Sequence, residues 1–214
     1  MIRYILVTVL ILALVALALL PFAVHTYRAT TTRTCAFVVN CDFETARKIM
    51  VRTDAGDRMV AACNGRVISK QVGSLDVSTD KILKGMRGNW EVNAKTNYMV
   101  EAPNPRGGLV VLPLEQVSCV HPNHLVSVTK LLQPAGNFRG QETHVDIQPY
   151  AGATYVTITL FLDIGFTAPY WPSGQKELEK QIVEGADAAL SKMQTALIKT
   201  VGERKGQKLS LKII

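Results

Sequence analysis

The chain has 214 residues, a net charge of +7 and a sequence pI near 9.3, and 48% of its residues are hydrophobic. That apolar content excludes a disordered polyelectrolyte and is enough for one domain with a real core. The positive charge is spread over Arg47, Lys48 and Arg52, then Lys81, Lys84 and Arg87, then Lys199, Arg204, Lys205, Lys208 and Lys212. No recognition motif accompanies it, which argues against nucleic acid; a solvated surface that happens to be basic is one reading, and attraction to anionic lipid or an acidic partner is the other.

Residues 4–24, YILVTVLILALVALALLPFAV, form an almost unbroken apolar run. At about 1.5 Å per residue, roughly 20 residues span a ~30 Å hydrocarbon core. The run predicts a single transmembrane helix within a membrane anchor covering residues 1–28. A cleaved signal peptide has a shorter apolar core, of about 7–15 residues, and small residues at its cleavage site. Here Pro21, Val24, His25 and Tyr27 stand where those would be. Arg3 on one side and Arg28 and Arg33 on the other nearly balance. The short leading flank is read as cytoplasmic, with the body periplasmic or extracytoplasmic.

Residues 29–33 read as a connector and 34–202 as the domain. Thr34 to Asn40 alternates as a strand, with Cys35, Phe37 and Val39 on one face. Asn40 or Asp42 can cap a helix through FETARKIMVR, whose Phe43, Ala46, Ile49 and Met50 share one side. Asp54 to Asp57 ends that helix. Asn64-Gly65 lies between RMVAAC and RVISKQV and predicts a β-hairpin. A short helix is expected near 79–86. Trp90 to Val100 alternates as a half-buried antiparallel strand. Leu109–Val117 follows as a strand, with Pro113 placing it at an edge or a bend. Leu125–Leu132, Thr143–Gln148 and Tyr155–Phe166 complete the strands. In the last, Val156, Ile158, Leu160, Leu162 and Ile164 face one way, and Tyr155, Thr157, Thr159, Phe161 and Asp163 the other. A long helix runs from Gly174 to Val201, with Ser173 as N-cap and Gly202 as its stop. Its apolar stripe includes Ile182, Ala186, Ala189, Leu190, Met193 and Leu197. A basic tail, 203–214, ends the chain.

Four cysteines, Cys35, Cys41, Cys63 and Cys119, permit two disulfides. Cys35 and Cys41 are about 20 Å apart along a strand, beyond the ~7 Å that a disulfide allows. Any bridges would therefore join them to Cys63 and Cys119; four buried thiols is the other reading. His121 and His124 flank Pro122 and Asn123, so a metal would need a carboxylate nearby; a polar loop and no metal site are expected. His144 and Asp146 share a strand face with Glu142, as an acid–base pair or a solvent-facing polar edge. No nucleophile elbow and no phosphate-binding loop is present. Tyr170 and Trp171, between Pro169 and Pro172, read as a membrane or partner contact, or as a staple at the start of the long helix.

The order is strand, short helix, about six antiparallel strands and one long amphipathic C-terminal helix. On TCAFVVNCDFETARKIM, TYVTITLFLDIGF and QKELEKQIVEGADAALSKMQTALIKTVG, the chain resembles the START-like superfamily, also called helix-grip or polyketide-cyclase-like. The resemblance implies an α+β fold, a curved antiparallel sheet gripping the last helix, with an apolar cavity between them. Trp90, Tyr98, Tyr155, Phe161, Ile182 and Met193 are the expected lining. It also implies binding of a lipid, quinone or similar apolar ligand; with the apolar run at residues 4–24 and no catalytic constellation, the expectation is a non-enzymatic, membrane-anchored domain that binds or presents such a ligand at the membrane surface, without a cofactor. The alternative is a non-catalytic accessory subunit of a larger membrane complex, partnered by other membrane protein subunits.

Overall fold

The computed structural model describes residues 9–16, 19, 24–52, 54–77, 91–204. Seven strands form one antiparallel sheet: β1 (Val24–Val39), β2 (Arg66–Val77), β3 (Val92–Pro103), β4 (Leu109–Val120), β5 (Leu125–Leu131), β6 (Phe138–Tyr150) and β7 (Ala153–Pro169). Their spatial order is β1-β7-β6-β5-β4-β3-β2. Two short helices, α1 (Phe43–Arg52) and α2 (Ala55–Ala62), carry the chain from one edge strand to the other. The long helix α3 (Gly174–Arg204) packs mainly along β1, and then against α2, β7 and α1.

β1 is much longer than the alternation from Thr34 predicts. It pairs with β7 without a break, from Val24 opposite Pro169 to Val39 opposite Thr154. The stretch read as a connector is therefore strand. Its pattern is diluted by threonine and arginine, yet Tyr27 and Ala29 are buried on the inner face. The membrane expectation is corrected here. Of the predicted 4–24 span, residues 4–8, 17–18 and 20–23 lie outside the described residues. Residues 9–16 are helical, and eight residues reach about 12 Å against the ~30 Å core. At the far end Val24 already belongs to the sheet. No helix among the described residues is long and apolar enough to cross a membrane, which overturns the single-pass placement with the domain outside.

α1 forms where its periodicity places it. Asp42 caps it, accepting the Thr45 backbone N–H at 2.9 Å, and Phe43, Ala46 and Ile49 are buried. α2 replaces the first arm of the expected hairpin. Asn64 takes φ 61°, its N–H donates to Ala61 O, and Gly65 N–H donates to Val60 O, each at 3.0 Å. That is a Schellman helix end with asparagine in the left-handed position. An Asn-Gly pair supports this stop as readily as a type I′ turn, because both need positive φ at asparagine. A Cβ on Gly65 would meet Val60 Cγ1 at 2.9 Å, so the tight stop also requires glycine there. The helix expected near 79–86 lies outside the described residues.

β4 is an interior strand, contrary to the edge placement drawn from Pro113. Pro113 O accepts the Leu132 N–H at 2.9 Å, and β5 ends at Leu131. In a strand the N and O of one residue point the same way, so the missing proline N–H falls where β5 has run out. β6 and β7 both extend beyond their predicted bounds. α3 begins at Gly174 as expected but passes Gly202 and ends at Arg204. The Ser173 hydroxyl accepts the Trp171 indole N–H at 2.6 Å.

Among the described residues, two apolar clusters form the core. One joins Phe37, Ile49, Val120, Ile147, Val156 and Ile158 to Leu190, Leu197 and Val201 of α3. The other joins Tyr27, Val100, Leu112, Leu114, Phe138 and Ile164 to Leu178 and Ile182. At the second, the Tyr27 hydroxyl accepts the Trp171 N–H at 2.7 Å, and its ring leaves room only for glycine at 174.

Candidate functional site

Strand alternation places every second residue of β3–β7 on the concave, helix-side face. The register then stacks them into rows. One row runs Val92, Val120, Leu125, Ile147, Val156 and Phe37, and it is apolar throughout. Two rows further along the strands, Thr96, Gln116, Thr129 and Thr143 stand opposite one another, and the row continues through Leu160 to Arg33. Between them, Ser118 pairs with Ser127, and Val145 and Ile158 continue the row. The sheet thus carries a polar belt across β3–β6, bounded by the two apolar clusters.

The belt is joined by hydrogen bonds. The Tyr98 hydroxyl donates to Gln116 Oε1 at 2.8 Å, and Gln116 Nε2 donates to Ser127 Oγ at 2.6 Å. Ser127 and Ser118 hydroxyls lie 3.0 Å apart. Ser127 is 8% exposed, whereas Thr96, Gln116, Ser118, Thr129 and Thr143 are half-buried. The middle of the concave face is therefore reached by solvent while its two ends are closed. Burial pushes the Tyr98 phenol above its ordinary value, against the opposing pull of Lys70, whose ammonium sits 5.3 Å from the ring centroid. At neutral pH Tyr98 is a neutral hydrogen-bond donor.

The residues expected to line a cavity divide. Tyr98 is in the belt. Ile182 is buried in one cluster and Met193 packs against the other. Ala186 and Ala189 lie between them on the same helical stripe, so α3 offers its shortest side chains midway along the sheet. Tyr155 and Phe161 are corrected: they alternate with the buried residues of β7 and lie on the outer face, each 36% exposed. Trp90 lies outside the described residues. Gln116, Ser118, Ser127, Thr129 and Thr143 were not singled out, because polar residues alternating along a strand look like a solvent face until the register aligns them.

Tyr170 and Trp171 are exposed at the β7–α3 junction, and the Trp171 ring lies 6.2 Å from Tyr27. None of the four cysteines forms a disulfide; Cys41 is buried, and Cys35, Cys63 and Cys119 are half-buried. Burial raises the Cys35 and Cys63 thiols. His144 and Asp146 sit on the outer face and pair separately, His144 with Glu142 and Asp146 with His124. The Glu142 carboxyl is held below the usual range by His144 and then by Lys130. An open groove of about 640 Å³ between α2 and α3 is lined in part by Arg58, Lys192 and Lys199. Its Arg58 is already paired with Glu203 at 2.6 Å and Asp54 at 3.2 Å.

The strand order, with two short helices linking the edge strands and a long C-terminal helix packed on the sheet, is the helix-grip arrangement that the START-like resemblance implies. No protein-family model matches the chain, and no curated protein matches it. Among solved structures it is similar to a protein of Thermus thermophilus, at 15% identity and TM-score 0.44, over 85% of this chain and all of that one. It is also similar to a START superfamily protein of Mycobacterium smegmatis, at 14% identity and TM-score 0.42, over 81% of this chain and 97% of that one. A third is the Zhui aromatase/cyclase of Streptomyces sp. R1128, at 10% identity and TM-score 0.43, over 84% and 96%.

Proposed function

We propose that the concave face of the sheet binds a small molecule with an apolar body and a hydrogen-bonding end, such as a lipid or quinone. The observation that carries this reading is the belt Tyr98–Gln116–Ser127–Ser118, a hydrogen-bonded chain that runs through buried Ser127 and is otherwise half-buried between two closed apolar clusters. A core built only for stability gains little from such groups, because each polar group taken from water must be matched by a partner. A ligand site uses a few placed polar groups in an apolar surround to fix orientation. The belt supplies both donors and acceptors, since an amide, a phenol and hydroxyls can each serve a carbonyl or an alcohol. These groups are neutral near pH 7 and suit holding and orienting a ligand more than transferring protons, which favours binding over catalysis.

The test is fluorescence titration of the full chain with anilinonaphthalene sulfonate, followed by displacement with a long-chain fatty alcohol and with the corresponding alkane. The alcohol should displace the dye at lower concentration than the alkane, and Gln116→Leu should erase that preference. Thr129→Trp, which fills the middle of the belt, should abolish binding while the circular dichroism spectrum is retained. Saturable binding that is unchanged in folded Thr129→Trp protein would sink the proposal.

A further inference from the structure

Glu91, Cys119 and His121 converge on the outer face of the sheet, at the end where β4 turns into β5. Cys119 and His121 are two apart along one strand direction, so alternation puts both side chains on the same face. Val92 pairs with Val120, which places Glu91 opposite His121 across the β3–β4 ladder. The result is tight: Cys119 Sγ lies 3.3 Å from Glu91 Oε1 and 3.1 Å from His121 Nε2. One ligand atom from each of the three residues lies within 4.8 Å of the other two. All three side chains are half-buried.

We propose that Glu91, Cys119 and His121 form a binding site for a divalent transition metal, with Zn²⁺ as the best match. A thiolate sulfur, an imidazole nitrogen and a carboxylate oxygen are a donor set of borderline softness, which suits Zn²⁺ and its neighbours better than Mg²⁺ or Ca²⁺. With Zn–S near 2.3 Å and Zn–N near 2.0–2.1 Å, a tetrahedral ion separates sulfur and nitrogen by about 3.5 Å. The observed spacings therefore need to widen by only a few tenths of an ångström. The Cys119 thiol proton passes to solvent as the sulfur–metal bond forms. The supporting groups are in place. Arg47 donates to the carbonyls of His121 and Pro122 at 2.9 and 3.0 Å, which anchors the loop. Asn93 Nδ2 donates to Glu91 Oε1 at 2.7 Å and orients the carboxylate. The His124 ring stacks beside His121 with centroids 6.1 Å apart, and Asp146 Oδ1 holds its Nε2 at 2.7 Å. Water would take the fourth coordination position. The site faces away from the polar belt and stands independently of the ligand reading.

The test uses the reduced, chelator-stripped full chain, titrated with Zn²⁺ against a chromophoric chelator and separately with Co²⁺. One equivalent of Zn²⁺ should bind, and Co²⁺ should give a near-ultraviolet thiolate-to-metal charge-transfer band. Cys119→Ser should remove that band and weaken Zn²⁺ binding at least tenfold, and His121→Ala should weaken it similarly. Cys63→Ser, outside the cluster, should change neither. Absence of stoichiometric Zn²⁺ binding overturns the proposal. So does a folded Cys119→Ser protein that keeps both the affinity and the band.

Discussion

Tyr98→Phe removes one oxygen from the centre of the belt and leaves the ring, its packing and the Lys70 ammonium over its face in place. The lost bond is a 2.8 Å contact between neutral groups, worth about 1 kcal/mol net. Gln116 is half-buried, so water can reach its orphaned Oε1 and keeps the cost near that value. Gln116→Leu removes the same bond and the 2.6 Å donation to Ser127, which retains Ser118 as a partner. Its cost should be about 1–2 kcal/mol. Because both substitutions delete one shared contact, the double variant should be less destabilised than the sum, by a coupling of about 1 kcal/mol. Tyr98 and Ser127 share only Gln116 between them, so their coupling should be about 0.3 kcal/mol or less. The assay is urea unfolding of the four proteins in each cycle at constant m value. For a domain of this size a 1 kcal/mol loss also lowers Tm by about 2–4 °C. A Tyr98–Gln116 coupling indistinguishable from zero, or smaller than the Tyr98–Ser127 coupling, would refute the chain of hydrogen bonds.

Three further predictions address the fold. Ile158→Ala, at a fully buried position between β1 and β6, should cost about 2–5 kcal/mol in urea unfolding, while Phe161→Ala on the outer face should cost less than half as much; equal costs would contradict the assignment of faces. Gly174→Ala places a Cβ 2.5 Å from Tyr27 Cε1 and should lower stability by about 1–3 kcal/mol, whereas Gly185→Ala meets nothing within 4 Å and should raise it by up to about 1 kcal/mol. Thermal unfolding of the pair checks the opposite signs. Asp42→Ala should cost about 1 kcal/mol as the α1 cap is lost. The Thr45 N–H lowers the Asp42 carboxyl below its ordinary value, so the cap's contribution is present above the unfolded value near pH 3.9 and is lost as pH falls through the folded one. The gap between wild type and Asp42→Ala should therefore close in acid, and a gap that persists unchanged below that range would refute the cap.

Local periodicity alone determined α1, β3, β7 and α3, because each has an apolar stripe matched to its own backbone repeat. Phe43, Ala46 and Ile49 recur at helical spacing, and Val156, Ile158 and Leu160 alternate, so burying either set requires that local structure. The START-like arrangement followed from the order of these elements. Other features were settled by partners distant in sequence. Residues 24–33 carry too few apolar side chains to announce a strand, yet pairing with β7 satisfies their backbone groups and buries Tyr27 and Ala29. Asn64-Gly65 permits two geometries, and packing of α2 against α3 selects the helix stop. Pro113 is tolerated inside the sheet only because β5 ends beside it. The belt and the outer-face cluster depend on register. Thr96, Gln116, Thr129 and Thr143 lie on four different strands, and Glu91 is far from Cys119 and His121 in sequence. Alternation fixes which face each side chain takes. Only the alignment of neighbouring strands, set by core packing across the whole sheet, decides which of them meet.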